Sequence, residues 1–245
     1  MKHYGLIGYP LGHSFSKRFF TEKFSNENIE AQYESYSIEK IDLIRSLISD
    51  PNLSGLNVTI PYKEQVIPFL TELDAEAEAI GAVNVIKFIR TENGLRLKGY
   101  NSDAIGFETS LHPYLKPNHK RALILGTGGA SKAIRYILNK LGIETTYVSR
   151  TPAEGQLSYK DLDAKCMSTY SLIINASPLG TYPNIDSCPN IPYEHLTPDH
   201  LLYDVVYNPA ETLFLKKGRE MGATGLNGEQ MLVEQALADW EIWNE

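Results

Sequence analysis

The stretch Arg121-Ala-Leu-Ile-Leu-Gly-Thr-Gly-Gly-Ala-Ser-Lys-Ala133 constrains the fold more than any other. Ala122 to Leu125 is an apolar run of the kind found in a buried parallel strand. It stops at Gly126, Gly128 and Gly129. Beyond the glycines, Ala133, Ile134, Ile137, Leu138 and Leu141 recur at helical spacing. Strand, glycine turn and helix together form the context of a dinucleotide-binding loop. The glycines allow a tight turn and a close approach to a pyrophosphate. The helix start, here at Ala130, offers free amides and the positive end of a dipole. The sixth position of the Gly-x-Gly pattern holds Ser131, so Ala133 is the small residue available for close helix–strand packing.

The rest of the chain places its polar residues at similar points. Tyr4 to Ile7 is a short apolar strand, and Ser14 and Ser16 follow its turn and precede a helix predicted from Lys17 to Phe24. Ligands of parallel α/β sheets bind at such strand ends. Two hydroxyls beside exposed amides suit a carboxylate, and either serine also suits a helix cap. Ala31 to Ser37 reads as a strand and Ile41 to Ile48 as an amphipathic helix. A strand over Leu56 to Ile60 delivers Thr59 and Lys63 to another strand end, with Lys63 just before an expected helix. Asn84 falls within the next strand start. Asn93-Gly94 signals a hairpin, and its return strand leads to Asn101 and Asp103 at the start of a helix running to Leu111. An Asn or Asp there is by default a cap.

Proline-flanked residues 113–119 read as a domain boundary. After the glycine loop, a strand over Glu144 to Val148 ends at Ser149-Arg150-Thr151. NAD sites carry an acid about 20 positions after the glycines; here Arg150 stands 24 positions after Gly126. An arginine suits a 2′-phosphate, which favours NADP. Further buried strands end at Asn175-Ala176-Ser177 and before Tyr207. A last helix opens after Gly228 and carries Met231 and Gln235.

With 245 residues, 42% hydrophobic and 22% charged, the chain can bury a core and is not disordered. A net charge of -7 argues against a nucleic-acid partner. Two cysteines form neither a disulfide framework nor a metal-ligand spacing, and a reducing cytoplasm fits them. The N-terminus enters a strand pattern directly, without the features of a signal peptide. No apolar run reaches the ~20 residues needed to span a bilayer. No metal site is expected.

Taken in order, these turns resemble shikimate dehydrogenases over essentially the whole length. The carrying segments are 8–16, Asn57-Val-Thr-Ile-Pro-Tyr-Lys63, Gly81-Ala-Val-Asn84, Gly99-Tyr-Asn-Ser-Asp103, the glycine loop, Ser149-Arg-Thr151, Asn175-Ala-Ser-Pro-Leu-Gly180 and 228–236. The resemblance implies a two-domain α/β fold with an active-site cleft between the domains. A mixed, mainly parallel substrate domain over 1–103 would be completed by helix 227–245. A Rossmann-type NADP domain would span 104–226. It implies NADPH-dependent reduction of 3-dehydroshikimate to shikimate, in aromatic amino-acid biosynthesis. Ser14 and Ser16, assisted by Tyr207, would hold the substrate carboxylate. Thr59, Asn84, Asp103 and Gln235 would hold the ring hydroxyls, with Lys63 and Asp103 as the catalytic pair. Gly126, Gly128, Gly129, Ala130, Ser149, Arg150, Thr151, Ala176, Ser177, Gly228 and Met231 would contact NADP. The protein would be a monomer or homodimer.

Departures from the family pattern are Lys17 where Pro is usual, Val85 and Ser102 where Thr is usual, and Ser149 where Asn is usual. Lys17 would add a cation near an anionic substrate. Lys160 is the only cation between Thr151 and Asp163, so a second arginine on the phosphate is not expected. The competing readings are an NAD-using quinate/shikimate dehydrogenase, opposed by Arg150, and a non-catalytic shikimate-binding regulator, opposed by Lys63 and Asp103.

Overall fold

The first strand, β1 (Lys2–Gly8), is buried from Tyr4 to Gly8. Its side chains alternate between two apolar clusters, as the period of two requires. Tyr4 and Leu6 pack with Phe20, Phe24, Tyr33, Val85 and Trp243. Ile7 packs with Ile44, Leu53, Leu56, Val58 and Ile86. A strand covered on both faces reads as a near-continuous apolar run, which is what the sequence displays.

A computed structural model describes residues 1–12 and 14–245. It divides into two compact units, residues 1–105 with 235–245, and residues 106–234.

In the first unit β1 is followed by α1 (Phe15–Asn26), β2 (Ala31–Ser37), α2 (Ile44–Ile48), β3 (Leu53–Val58), β4 (Glu72–Leu73), α3 (Ala75–Ile80), β5 (Val85–Thr91), β6 (Gly94–Tyr100) and the start of α4 (Ser102–Leu111). The sheet order is β2-β1-β3-β5-β6-β4. β1 pairs in parallel with β2 and β3, whereas β3–β5 and β5–β6 are antiparallel. The β5–β6 hairpin closes at Thr91 and Gly94, where the sequence predicts it, and Gly94 adopts φ 112°.

The second unit runs β7 (Arg121–Leu125), α5 (Gly129–Lys140), β8 (Glu144–Ser149), β9 (Leu157–Ser158), α6 (Ala164–Thr169), β10 (Leu172–Asn175), β11 (Leu201–Asp204), α7 (Leu213–Glu220), β12 (Thr224–Leu226) and the first turns of α8 (Glu229–Asn244). Its six strands, ordered β12-β11-β10-β7-β8-β9, are all parallel. Order and direction are those of a doubly wound, Rossmann-type sheet. The strand-to-helix turns therefore emerge at one edge, beside the switch point between β7 and β10.

Two expected elements differ. The helix over 41–48 is a 3₁₀ turn, Ile41–Leu43, followed by the single short helix α2. No α-helix follows Lys63; residues 61–66 form turns that lead into a 3₁₀ turn at Ile67–Phe69. The Val66 amide makes one helical bond to the Tyr62 carbonyl at 2.9 Å, but Pro68 has no amide to donate to the Glu64 carbonyl, so the ladder stops within a turn. Lys63 therefore faces no opposing helix dipole.

Candidate active site

In the first unit Lys63, Asn84 and Asp103 are brought together by side-chain contacts. The amide of Thr59 donates to the Ile7 carbonyl at 2.9 Å, and the Tyr62 amide closes a turn onto the Thr59 carbonyl at 2.9 Å. The buried Tyr62 ring anchors that turn, its hydroxyl donating to the Ile38 carbonyl at 2.6 Å. The Lys63 carbonyl accepts from the Val83 amide at 2.8 Å. With its backbone held on both sides, Lys63 directs its ammonium to Asp103 Oδ2 at 2.5 Å. The two side chains are only 15% and 11% exposed, so the pair is much less screened than a surface ion pair.

Asp103 is not the helix cap. Asn101 takes that role: its Oδ1 accepts from the Ala104 amide at 3.3 Å and its Nδ2 donates to the Ala82 carbonyl at 2.8 Å. Both Asp103 oxygens are thus available to side chains. Asn84, placed just before β5, donates from Nδ2 to Asp103 Oδ1 at 3.0 Å and to Ser102 Oγ at 2.9 Å. Its Oδ1 accepts from the Ser102 amide at 2.7 Å. Its backbone is fixed too, with the Asn84 amide on the Tyr100 carbonyl and the Val58 amide on the Asn84 carbonyl.

The two serines have separate roles. Ser14 caps α1, its Oγ accepting from the Lys17 amide at 3.2 Å. Its hydroxyl proton remains free to be donated. Ser16 lies in the first turn, close enough to the Tyr33 phenol to oppose the upward shift that burial imposes on it. The Lys17 ammonium is engaged by Glu34 at 2.7 Å, so the extra cation expected at this site is neutralised. Gln235 is buried on α8.

Sequence reasoning missed a group beneath these residues. Asp239 on α8 is fully buried, and accepts from Ser102 Oγ at 2.5 Å and from Asn57 Nδ2 at 2.7 Å. Asn57 also donates to the Asn84 carbonyl at 3.3 Å and accepts from the Tyr33 hydroxyl at 2.7 Å. The available signal was positional. Asp239 stands four residues from Gln235 and four from Trp243, on one helix face whose other members are buried.

In the second unit the glycine loop has the expected form. Gly126 adopts φ 119°, which favours glycine, and a Cβ there would also lie a tight 3.1 Å from the Ala176 carbonyl oxygen. Gly128 is the N-cap of α5, whose first turn has no side-chain cap. A Cβ on Gly128 would meet nothing within 4 Å. Uncapped amides beside open space are an anion cradle. Gly129 and Ala130 begin the helix, and Ser131 turns its hydroxyl back onto the Gly128 carbonyl at 2.6 Å.

At the end of β8, Ser149 Oγ accepts from the Thr151 amide at 3.2 Å, and Arg150 is exposed between them. Its charge is close enough to oppose the upward shift that burial imposes on the Tyr159 phenol. Ala176 and Ser177 are held by Asn175, whose Oδ1 accepts from the Ser177 amide and hydroxyl at 3.1 and 2.6 Å. Asn175 in turn donates to the buried Asp204 at 2.9 Å. Gly228 approaches the β11 turn so closely that a Cβ would lie 2.2 Å from the Val205 carbonyl oxygen. Met231 is buried one turn further on, and Tyr207 is exposed after β11. No group of three or more His, Cys, Asp or Glu side chains is placed to hold a metal among the described residues. No helix among them is long and apolar enough to cross a membrane.

Comparison with known proteins identifies the family. The family described as shikimate dehydrogenase substrate binding domain matches residues 6–86. A shikimate dehydrogenase (NADP(+)) from Carboxydothermus hydrogenoformans is 37% identical over 256 residues, covering 98% of this chain and 90% of its own. The chain belongs to the shikimate dehydrogenase family. Solved shikimate dehydrogenases share the fold. That of Aquifex aeolicus superposes with a TM-score of 0.87 at 32% identity, over 99% of this chain and 92% of its own. That of Thermus thermophilus, solved in complex with NADP(H) and shikimate, superposes at 0.85 and 27%, over 99% and 93%.

Proposed function

We propose that this shikimate dehydrogenase catalyses the NADPH-dependent reduction of 3-dehydroshikimate to shikimate, with Lys63 and Asp103 as the catalytic pair. The carrying observation is that Lys63 and Asp103 form a shielded, doubly supported ion pair while Asn101 takes over the capping role. Reduction of a ketone puts negative charge on its oxygen. An ammonium held at that oxygen stabilises the charge and can supply the proton. Asp103 fixes the ammonium, and Asn84 fixes Asp103. Thr59 and Gln235 would hold the ring hydroxyls with Asn84, and Ser14 and Ser16 would donate to the carboxylate.

The residues of the second unit fit NADP. The uncapped start of α5 and the open space at Gly128 suit the pyrophosphate, and the exposed Arg150 suits the 2′-phosphate. Ser149, Thr151, Ala176, Ser177, Gly228 and Met231 would complete its contacts, with Tyr207 on the substrate carboxylate. When bound, the nicotinamide supplies the hydride. The unpaired Cys166 and Cys188 suit a reducing cytoplasm.

The test is NADPH oxidation with 3-dehydroshikimate beside 3-dehydroquinate, for the wild type and Lys63→Ala. We expect turnover of the former, and a Lys63→Ala loss in kcat of roughly 10²–10⁴-fold with KM changed only a few-fold. Full activity of Lys63→Ala removes the lysine from the mechanism.

A further inference from the structure

Asp239 is an expensive residue for its position. It is fully buried, both oxygens are satisfied by neutral donors, and among the described residues no cation forms an ion pair with it. A buried carboxylate without a paired cation is strongly disfavoured. What it touches is informative. Ser102 and Asn57 are the two residues that meet Asn84 from below, one at its side chain and one at its backbone carbonyl. Asn84 is the second support of Asp103.

We propose that Asp239 is a positioning residue: by fixing Ser102 and Asn57 it holds Asn84 against Asp103, and so sets the geometry of the Lys63–Asp103 pair. The same network reaches toward the other end of the site, because Asn57 also receives the Tyr33 hydroxyl and Ser16 lies beside the Tyr33 phenol. One buried carboxyl thus connects the residues assigned to the carbonyl with those assigned to the carboxylate. The inference rests on the proposed role of Lys63 and Asp103.

Burial pushes the Asp239 carboxyl up to about 8, against the pull of its hydrogen bonds from Ser102 and Asn57. Asp103 adds to the rise and Lys63 opposes it. The titratable groups around it are Lys63 from the turn after β3, Asp103 from α4 and Tyr33 from β2; its neighbour on α8, Gln235, is neutral. At neutral pH the carboxyl is mainly protonated, and protonation of Oδ1 turns the Ser102 contact round, from a hydroxyl that donates to one that accepts. Asparagine reproduces the neutral form, accepting from Asn57 through Oδ1 and donating from Nδ2 to Ser102 once that hydroxyl turns from donor to acceptor. Above pH 8 the wild type gains a second negative charge beside the pair, which opposes the negative charge that builds on the carbonyl oxygen. Carbonyl reduction slows accordingly.

The experiment compares wild type, Asp239→Ala, Asp239→Asn and Lys63→Ala by steady-state kinetics from pH 6 to 10, with crystal structures of the two Asp239 variants. Asp239→Ala is expected to lose at least 10-fold in kcat with KM for either substrate changed less than 3-fold. Asp239→Asn is expected to restore most of that loss at pH 7 and to show a shallower fall in kcat above pH 8 than the wild type. In the Asp239→Ala structure the Asn84–Asp103 contact is expected to open. A wild-type kcat in Asp239→Ala overturns the proposal, as does an Asp239→Asn profile superposing on the wild type. An Asp239→Ala structure with Asn84 and Asp103 unmoved overturns it whatever the activity. An active Lys63→Ala instead overturns the assignment of the pair.

Discussion

Replacing Gly55 by alanine tests how α8 is seated on the first sheet. Gly55 lies on β3 beneath the indole of Trp243, near the end of α8. An added Cβ would sit 2.3 Å from Nε1, 2.5 Å from Cδ1 and 2.6 Å from Cε2 of that ring. Non-bonded carbon atoms prefer about 3.5–4.0 Å, so the indole must retreat by about 1 Å. Its Nε1–H now donates to the Ile86 carbonyl at 3.1 Å, and Trp243 is only 6% exposed. Retreat therefore strands a buried donor. Overpacking costs about 1–3 kcal/mol and the stranded donor about 1–3 kcal/mol. A total loss of roughly 3–4 kcal/mol follows. Urea unfolding is the assay, followed by tryptophan fluorescence, since both tryptophans lie on α8. The Trp243→Phe background, which has no indole N–H to strand, isolates the contact. There Gly55→Ala should cost at least about 1 kcal/mol less than in the wild type, the coupling expected of touching residues. A Gly55→Ala loss below 1 kcal/mol, or equal losses in both backgrounds, refutes the reasoning.

Removing Arg150 (Arg150→Ala) should lower kcat/KM for NADPH by about 10–100-fold and leave that for NADH unchanged, because only the 2′-phosphate loses a partner; equal losses with both cofactors would contradict this. Ser14→Ala should cost about 1 kcal/mol through the lost cap and raise KM for 3-dehydroshikimate, whereas Ser14→Gly should raise KM equally while costing only a few tenths in stability. Asp204 is fully buried and its carboxyl is pushed by desolvation up to about 6. With a folded value above the unfolded one, its stabilising contribution is complete below about pH 4 and lost as pH rises through 6. Between pH 4 and pH 7.5 the wild type should therefore lose roughly 2–3 kcal/mol more than Asp204→Asn; parallel urea-unfolding curves for the two would refute it.

What the sequence made legible was local chemistry. The glycine loop, the hairpin at Gly94 and the strand ends carrying Thr59, Asn84, Asp103 and Arg150 each have a short-range cause, so a reader of residues finds them. The 41–48 helix was overextended because its apolar spacing also satisfies a 3₁₀ turn packed on the core. The helix expected after Lys63 stops within a turn because Pro68 has no amide to continue it. Asp239 was invisible for a different reason. Its partners, Asn57 and Ser102, stand 182 and 137 residues away, and no local pattern reports such a pairing. The choice between Asn101 and Asp103 as cap likewise depended on where Lys63 and Asn84 arrive in space.

The first unit is closed by residues 235–245, while 106–234 form a continuous second unit. Synthesis proceeds from the N-terminus, so the earliest-made segment is the last to be finished. The second unit has all its residues in hand before the first does. At ribosomal rates of about 5–20 residues per second, the intervening stretch takes roughly 6–26 s to make. For that interval Tyr4, Phe20, Tyr33 and Val85 lack Ala236, Ile242 and Trp243, the side chains that cover them. A chain released before residue 235 would contain every strand of the second sheet while Tyr4, Phe20, Tyr33 and Val85 kept an uncovered apolar face, the kind of surface that leads a nascent chain to aggregation or to chaperones.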